Sequence, residues 1–185
     1  TGEGLDFLQQ CARVLSQEYT VWAAFLGATF ITMANALRAW ALYPQEYAKL
    51  RADSAKVRAA FDESLRWDSP SRMAGRITTR DVEIGPYVVP TGSRCGLMFA
   101  AANRDPRFWK APLDYQLDRD TRHSLGWGYG IHACVGRTLA QMEARALLGA
   151  IVEQVEAIEL AGEYQPWMTT VGHGPISQPV RLRFA

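Results

Sequence analysis

The chain has 185 residues, of which 48% are hydrophobic, and its formal net charge is +1 at pH 7. A chain of this size and hydrophobicity can bury a sizeable core, so we expect residues 1–185 to form a single region. The near-neutral charge, without a basic stripe interleaved with aromatic residues, argues against nucleic acid as a main partner.

Helical patterns dominate the first part of the chain. We expect a helix near Asp6–Gln17 and a long buried helix over Thr20–Leu42, closed by Pro44. The long segment is also the one candidate for a membrane span, but Asn35 and Arg38 interrupt it. An arginine near mid-bilayer costs at least ~2.5 kcal/mol, so a buried central helix fits better and no membrane association is expected.

Two shorter helices are predicted next. Gln45–Arg51 should place Tyr47 and Leu50 inward, and Ala55–Trp67 should end before Pro70. The inner face of this second helix is expected to carry Val57, Phe61, Ser64 and Leu65.

The pattern then changes from helix to strand. Ile77–Val89 alternates around Gly85-Pro86 and predicts a strand pair or hairpin, and Arg94–Phe99 adds a short strand or a helical turn. Asn103–Ser124 is rich in Asp, Arg and Pro with little periodicity, which predicts an ordered meander.

A last helix is predicted after Cys134, ending near Ala157. The tail Ile158–Phe184 has strand-like pairs separated by Gly172-His173-Gly174-Pro175. The sequence therefore predicts a mainly α fold with small β-sheets. The last helix is expected to bury one apolar stripe: Val135, Leu139, Met142, Ala146, Leu147 and Ala150.

The chain has three cysteines, Cys11, Cys95 and Cys134. The odd count, the wide spacing and the absence of a signal peptide at Thr1 favour a reduced, cytoplasmic setting without disulfides. Cys11 and Cys95 have apolar neighbours and are expected to be inert packing residues.

Cys134 ends the glycine-rich segment G-W-G-Y-G-I-H-A-C-V-G, residues 126–136, at the start of the predicted helix. Unpaired N–H groups and the helix dipole stabilise negative charge there, which favours the thiolate form that binds a metal. Gly128, Gly130 and Gly136 let the backbone approach a bulky planar group closely. The alternative is a glycine-rich turn before a core helix with a buried cysteine.

This segment resembles the haem-binding loop of the cytochromes P450, F-G-x-G-x-H-x-C-x-G. The resemblance implies haem b as cofactor, with Cys134 as the axial iron ligand, His132 at a haem propionate, and Gly128 and Gly136 beside the porphyrin. Trp127 stands where the family normally has Phe. We hypothesise that its indole N–H reaches the ligand sulfur and tunes the potential of the iron.

A second motif lies upstream in Glu63-Ser64-Leu65-Arg66, whose two charges share a helix face. Taken alone, it predicts only an exposed ion pair of little energetic value. Its position resembles the E-x-x-R motif of the family, which implies that Glu63, Arg66 and Arg119 form a buried charge network supporting the haem pocket.

Further positions extend the resemblance. Arg76 matches the position from which bacterial members reach a haem propionate, although a solvated arginine at a strand start is the alternative. Asn103-Arg104-Asp105-Pro106 resembles the entry to the meander of the family, or is simply turn chemistry. Where the family often has a histidine, this chain has Ser124 with His123 one place earlier, which puts one propionate contact in doubt.

The long helix departs from the family, which places an acid followed by threonine above the haem. Residues 25–32 read F-L-G-A-T-F-I-T, without an acid. Alignment without gaps from Pro44 brings Thr29 to the catalytic alcohol position and Gly27 to that of the acid, with Thr32 as the other candidate. Both threonines can instead be core residues bonding to the preceding helical turn.

The resemblance covers nearly all of this chain but only the C-terminal, haem-binding half of the family fold. The chain is therefore a fragment or a truncated homologue. The implied activity is that of a bacterial monooxygenase, which takes electrons from a ferredoxin-type partner and its reductase. Arg122, Arg137 and Arg145 can attract an acidic redox protein, or can form an ordinary solvated surface.

The implied substrate is a small apolar or aromatic molecule. Two alternatives stay open: a haem-thiolate protein that uses peroxide or binds haem without turnover, and a non-enzymatic haem-sensing or interaction module. Substrate contacts are expected from residues 71–74 and 168–171, in particular Ser71, Met73, Ala74, Thr170 and Val171.

Overall fold

The computed structural model describes residues 27–185. The predictions for Asp6–Gln17, for Cys11 and for the first part of Thr20–Leu42 lie outside this range. Helix α1 is described from residue 27 to residue 42, and it ends before Pro44 as predicted, because proline disfavours helical backbone in the preceding residue. Within residues 27–185, the helices are too short or too polar to cross a membrane. The inner face of α1 is buried through Met33, Ala36, Ala39 and Trp40.

Helices α2 (Pro44–Ala52) and α3 (Val57–Trp67) follow, with a short 3-10 helix between them. Pro44 occupies the first turn of α2, where its missing N–H has no helical partner to lose. Tyr47 and Leu50 are buried, which confirms their predicted inward orientation. The predicted inner face of α3 is also confirmed, since its members are all buried: Val57, Phe61, Ser64 and Leu65.

Aromatic side chains join these helices to the meander. The rings of Trp40 and Tyr47 stack with centroids 5.3 Å apart. The indole N–H of Trp40 donates to the Tyr115 hydroxyl at 3.1 Å, and that hydroxyl donates to the Ala60 carbonyl at 2.9 Å. Burial raises the pKa of Tyr115 above its ordinary value. The chain of hydrogen bonds fixes α1 and α3 against the meander.

The first strands form two antiparallel two-stranded sheets. Val82 pairs with Val89 across the turn at Gly85-Pro86, which confirms the predicted hairpin. Ile77 belongs to a different sheet, where it lies opposite Arg94, so its predicted place in the hairpin was wrong. The four strands are β1 (Ala74–Ile77), β2 (Val82–Ile84), β3 (Tyr87–Val89) and β4 (Arg94–Leu97), in which β1 pairs with β4 and β2 with β3.

Helix α4 (Phe99–Ala102) begins directly after β4, so the segment Arg94–Phe99 contains a strand and the start of a helical turn. Residues 103–124 contain neither helix nor strand, as predicted for a meander. Two 3-10 helices, Leu125–Trp127 and Gly130–His132, then lead to Cys134.

Helix α5 spans Arg137–Gln154, and the prediction of its buried face was wrong. The predicted stripe is exposed, with Val135 93% and Met142 63% accessible. The residues that α5 buries lie four apart and are small at the end near α3, which allows the two helices to pack closely: Ala140, Ala144, Leu148 and Val152. Periodicity shows that α5 has apolar faces, but not which of them the fold covers.

The tail forms two further antiparallel pairs. Strand β5 (Val155–Leu160) continues directly from α5, so the predicted helix end near Ala157 was three residues late. It pairs with β8 (Val180–Phe184), while β6 (Gln165–Met168) pairs with β7 (His173–Ser177). His173-Gly174-Pro175 therefore lies within a strand instead of separating strands, and the turn is at residues 169–172.

Candidate functional site

A backbone hydrogen bond joins the two ends of the loop that carries Cys134. The Cys134 N–H donates to the Trp127 carbonyl at 2.8 Å. Gly128 has φ of +70°, and a Cβ there would lie 2.6 Å from the His132 carbonyl oxygen, so a larger residue fits neither the backbone nor the space. Cys134 precedes the first turn of α5, whose N-cap is Gly136, as the sequence predicts.

Cys134 lines a cavity of about 360 Å³ whose walls are mostly apolar. The sulfur-bearing residue is exposed, so the interpretation of a buried packing cysteine does not describe it. Helices α1 and α3 and residues 125–136 supply most of the wall. Among the predicted site residues, the cavity is lined by Thr29, Thr32, Ser71, Trp127, Gly128, His132, Cys134 and Gly136.

The two threonines of α1 both face this cavity and are buried. The Thr32 hydroxyl donates to the Ala28 carbonyl at 2.7 Å, the bond to the preceding turn that is common for a threonine within a helix. That bond occupies the only proton that the Thr32 hydroxyl can donate. Thr29 lines the same cavity, and the residue one turn before it, Phe25, lies outside the described range.

Glu63, Arg66 and Arg119 meet in one buried charge network. Arg66 Nε and Nη2 donate to the two carboxylate oxygens of Glu63 at 2.7 and 2.8 Å, and both side chains are fully buried. Arg119 Nε donates to Glu63 Oε1 at 3.0 Å. The remaining N–H groups of Arg66 reach meander carbonyls, those of Asn103, Pro112 and Asp114.

The sequence placed Asn103 at the meander entry but did not predict its structural role. Asn103 is buried, and its side-chain oxygen accepts the Leu125 N–H at 2.8 Å, at the start of the loop that carries Cys134. Its amide donates to Ser69 Oγ at 3.0 Å, just beyond α3. Asn103 therefore connects α3, the meander and the cysteine loop. Its position at the meander entry was the one available signal.

The hypothesis that the Trp127 indole N–H reaches the Cys134 sulfur was wrong. That N–H donates to Asp62 Oδ1 on α3 at 2.8 Å. A carboxylate is a stronger acceptor than a sulfur and lies within reach, because Asp62 faces the cysteine loop from the adjoining helix. Asp62 was not singled out from the sequence, since a lone acid on a helix carries no motif.

The predicted propionate contacts are differently placed. His132 lines the cavity, whereas Arg76 lies on β1 and donates to the neighbouring Gly75 carbonyl at 2.7 Å. Ser124 caps a 3-10 helix by accepting the Gly126 N–H, and the His123 ring packs against Phe108.

The residues predicted to contact substrate come from two segments that meet. Ser71 forms an antiparallel bridge with Gly172, and the Arg72 N–H donates to the Val171 carbonyl at 2.9 Å. Thr170 and Val171 thereby lie next to the strand that continues to Ala74. Met73 instead packs over Gly96, where a Cβ would lie 2.6 Å from its sulfur, and only Ser71 of the predicted set lines the cavity.

Comparison with known proteins gives the family. The sequence profile of the family described as Cytochrome P450 matches residues 25–174. The chain is 38% identical over 160 residues to the cytochrome P450 CYP199A2 of Rhodopseudomonas palustris, covering 86% of this chain and 39% of that protein. It is 35% identical over 151 residues to the beta-dihydromenaquinone-9 omega-hydroxylase of Mycobacterium tuberculosis, covering 82% of this chain and 29% of the hydroxylase.

A solved structure shows the same fold. The crystal structure of CYP108D1 from Novosphingobium aromaticivorans matches with a TM-score of 0.80 and 31% identity, covering 85% of this chain and 38% of that one. The chain thus spans well under half the length of these relatives. Helices with small sheets, as predicted, form the C-terminal part of this fold. The chain therefore belongs to the cytochrome P450 family, whose members bind haem b.

Proposed function

We propose that this chain is the haem-binding part of a monooxygenase that inserts one oxygen atom from O2 into a small, mostly apolar organic molecule. The observation that carries the proposal is the exposed Cys134 thiol on the wall of an apolar cavity that also contains Thr29. Relatives named as hydroxylases and an epoxidase support this reaction class.

The residues around the cavity fit haem b. The donor set is a single thiol, the apolar walls suit a porphyrin, and the exposed apolar side chains beside the sulfur, such as Ile131 and Val135, leave an uncovered face. His132 lines the cavity and supplies a group suited to a propionate, whereas Arg76 lies on β1 outside the cavity wall and is the second candidate. When bound through a thiolate, haem supplies dioxygen binding and O–O cleavage, which the electron donation of the sulfur favours.

Each residue has a distinct role in the proposal. Cys134 would hold the iron, and Gly128 and Gly136 would let the loop lie close to the porphyrin. Thr29 holds a proton at its hydroxyl beside the cavity. The charge network of Glu63, Arg66 and Arg119 holds the meander against α3, and this contact positions the loop that carries Cys134. Substrate contacts come from Ser71 and, in the intact pocket, from Met73, Ala74, Thr170 and Val171.

We further propose a ferredoxin-type protein as electron donor. A second surface cavity, of about 500 Å³ and with charged residues in its wall, adjoins the cysteine loop at Gly128 and Tyr129. It is lined by Arg58, Arg122 and Arg137 together with Asp62 and Asp120. Cationic groups there attract an acidic partner and raise its association rate, so electron transfer should slow as salt increases.

Peroxide-dependent chemistry is the second candidate, because Gly27 stands where the family has an acid beside the catalytic alcohol. Without that acid, the chain holds one proton donor fewer beside the cavity for a reaction with O2, whereas peroxide already carries the protons. Comparing product formation with ferredoxin, reductase and O2 against product formation with peroxide separates the two.

The primary test is the carbon monoxide difference spectrum of the reduced protein. We expect the absorption maximum typical of thiolate ligation, its loss in Cys134→Ser, and its retention in Cys95→Ser, which removes a half-buried thiol on β4. A spectrum typical of imidazole ligation, or equal haem uptake by Cys134→Ser, would exclude the proposal.

A further inference from the structure

Trp127 is held at its position by three neighbours, none of which is the sulfur of the loop. Its ring packs against Phe61 of α3 with centroids 6.0 Å apart, and the Arg137 guanidinium lies 5.4 Å from its ring centroid. Its N–H donates to Asp62 Oδ1 at 2.8 Å. Gln141 of α5 donates to the same carboxylate at 3.2 Å. The hydrogen bond to Asp62 therefore sets the direction of the indole N–H, which points toward α3.

The indole N–H is a donor without acceptor capacity, and a half-buried donor of this kind takes the best acceptor within reach. The Trp127 carbonyl accepts a hydrogen bond from the Cys134 N–H, and both residues line the same cavity. A phenylalanine at this position would bring no donor at all. Tryptophan thus introduces, in the loop that carries the sulfur, a donor that the usual residue of the family lacks.

We infer that Asp62 is a positioning residue for the thiolate: it takes up the Trp127 N–H and thereby keeps that donor away from Cys134. This inference rests on the proposed haem-thiolate function. A hydrogen bond to a metal-bound thiolate withdraws electron density from the sulfur and raises the reduction potential. With Asp62 present, the iron retains the electron donation expected of a loop that carries phenylalanine.

The reduction potential tests the inference through a double-mutant cycle. Asp62→Ala should shift the potential of the haem-loaded protein to more positive values, because the freed indole can donate to the sulfur. Trp127→Phe should leave the potential near that of the wild type. The double variant Asp62→Ala/Trp127→Phe should return to that same value. Asp62→Asn keeps an oxygen acceptor and should shift the potential less than Asp62→Ala.

A purely structural role for Asp62 would give a different result, with the Asp62→Ala shift persisting in the Trp127→Phe background. That outcome, or an unchanged potential in Asp62→Ala, overturns the inference. Asp53→Ala controls for the loss of one acidic group, since the Asp53 carboxylate lies at the end of α2, where it approaches Lys56 at 3.9 Å.

A second readout needs no haem. In a 15N-tryptophan NMR spectrum, the indole resonance that disappears in Trp127→Phe should move on Asp62→Ala and remain near its place in Asp62→Asn. An unmoved resonance contradicts the Asp62 contact itself. If the contact is seen but the protein binds no haem, the proposed function fails and the inference about the thiolate falls with it, whereas normal haem loading with no potential shift rejects the inference alone.

Discussion

Arg66 and Glu63, one helical turn apart on α3, form a bidentate ion pair with N–O distances of 2.7 and 2.8 Å. Neither side chain is exposed to solvent. Arg66 also donates to backbone carbonyls of the meander, so the pair is part of the connection between helix and loop.

Loss of Arg66 should therefore be severe. Arg66→Ala leaves the Glu63 charge buried without its main partner and should cost about 3–5 kcal/mol of unfolding free energy, with loss of haem loading. Denaturant unfolding and haem content measure the two effects. Arg107→Ala is the matched control: its ion pair with Asp105 lies at the surface, and we expect a much smaller loss of unfolding free energy. Comparable losses in the two variants would contradict the structural role of the network.

Two glycines of the cysteine loop make a matched pair. Gly128 and Gly130 both have positive φ, +70° and +61°, so alanine at either position should cost about 1–2 kcal/mol in backbone strain. Only at Gly128 would a Cβ also meet a backbone atom, the His132 carbonyl oxygen, while at Gly130 nothing lies within 4 Å. Gly128→Ala should therefore lower stability and haem content more than Gly130→Ala. Equal effects would show that strain alone governs the loop.

Substitution of Thr29 and of Thr32 on α1 should have different effects on the reaction. Thr29→Val should lower product formed per electron pair several-fold and increase the hydrogen peroxide released, because a proton-carrying hydroxyl is lost. Thr32→Val should change this coupling little, since the Thr32 hydroxyl is already bonded to Ala28. Peroxide and product assays with the ferredoxin system measure the difference. The reverse ranking would assign the catalytic alcohol to Thr32.

The contact between Asp105 and Arg107 in the meander should depend on pH, and the similar contact between Asp120 and Arg122 serves as its control. Hydrogen bonds from the Arg107 side chain and backbone lower the pKa of Asp105 to about 2. Because this value lies below the unfolded value of ~3.9, the contact stabilises the fold above that pH and loses its effect as pH falls toward 2.

Arg107→Ala should therefore raise the pKa of Asp105 toward its ordinary value. Arg122 makes the same contact with Asp120, whose pKa is also about 2, and that pKa should not change. Carboxyl carbon NMR titration reports both groups. A shift in Asp120 alone, or in neither group, would contradict the assignment of Arg107 as the cause.

Local signals predicted much of the secondary structure. Pro44 and the Tyr47 and Leu50 spacing located α2, and Gly85-Pro86 located the β2–β3 hairpin, because proline and glycine act through the backbone within a few residues. The glycine-rich segment before an apolar helical pattern likewise predicted that Cys134 precedes a helix. Pairing of β1 with β4 was not predictable, since β1 bonds across an intervening hairpin rather than to its neighbour in the sequence.

The sequence by itself determined the family and the position of the thiol, because the glycine-rich loop and the E-x-x-R motif are patterns of closely spaced residues. Only the tertiary structure decided which apolar face of α5 is buried, that Asn103 holds the cysteine loop, and that the Trp127 N–H bonds to Asp62 and not to sulfur. These are contacts between segments far apart in the chain, and which acceptor a donor takes depends on what folding brings within about 3 Å of it.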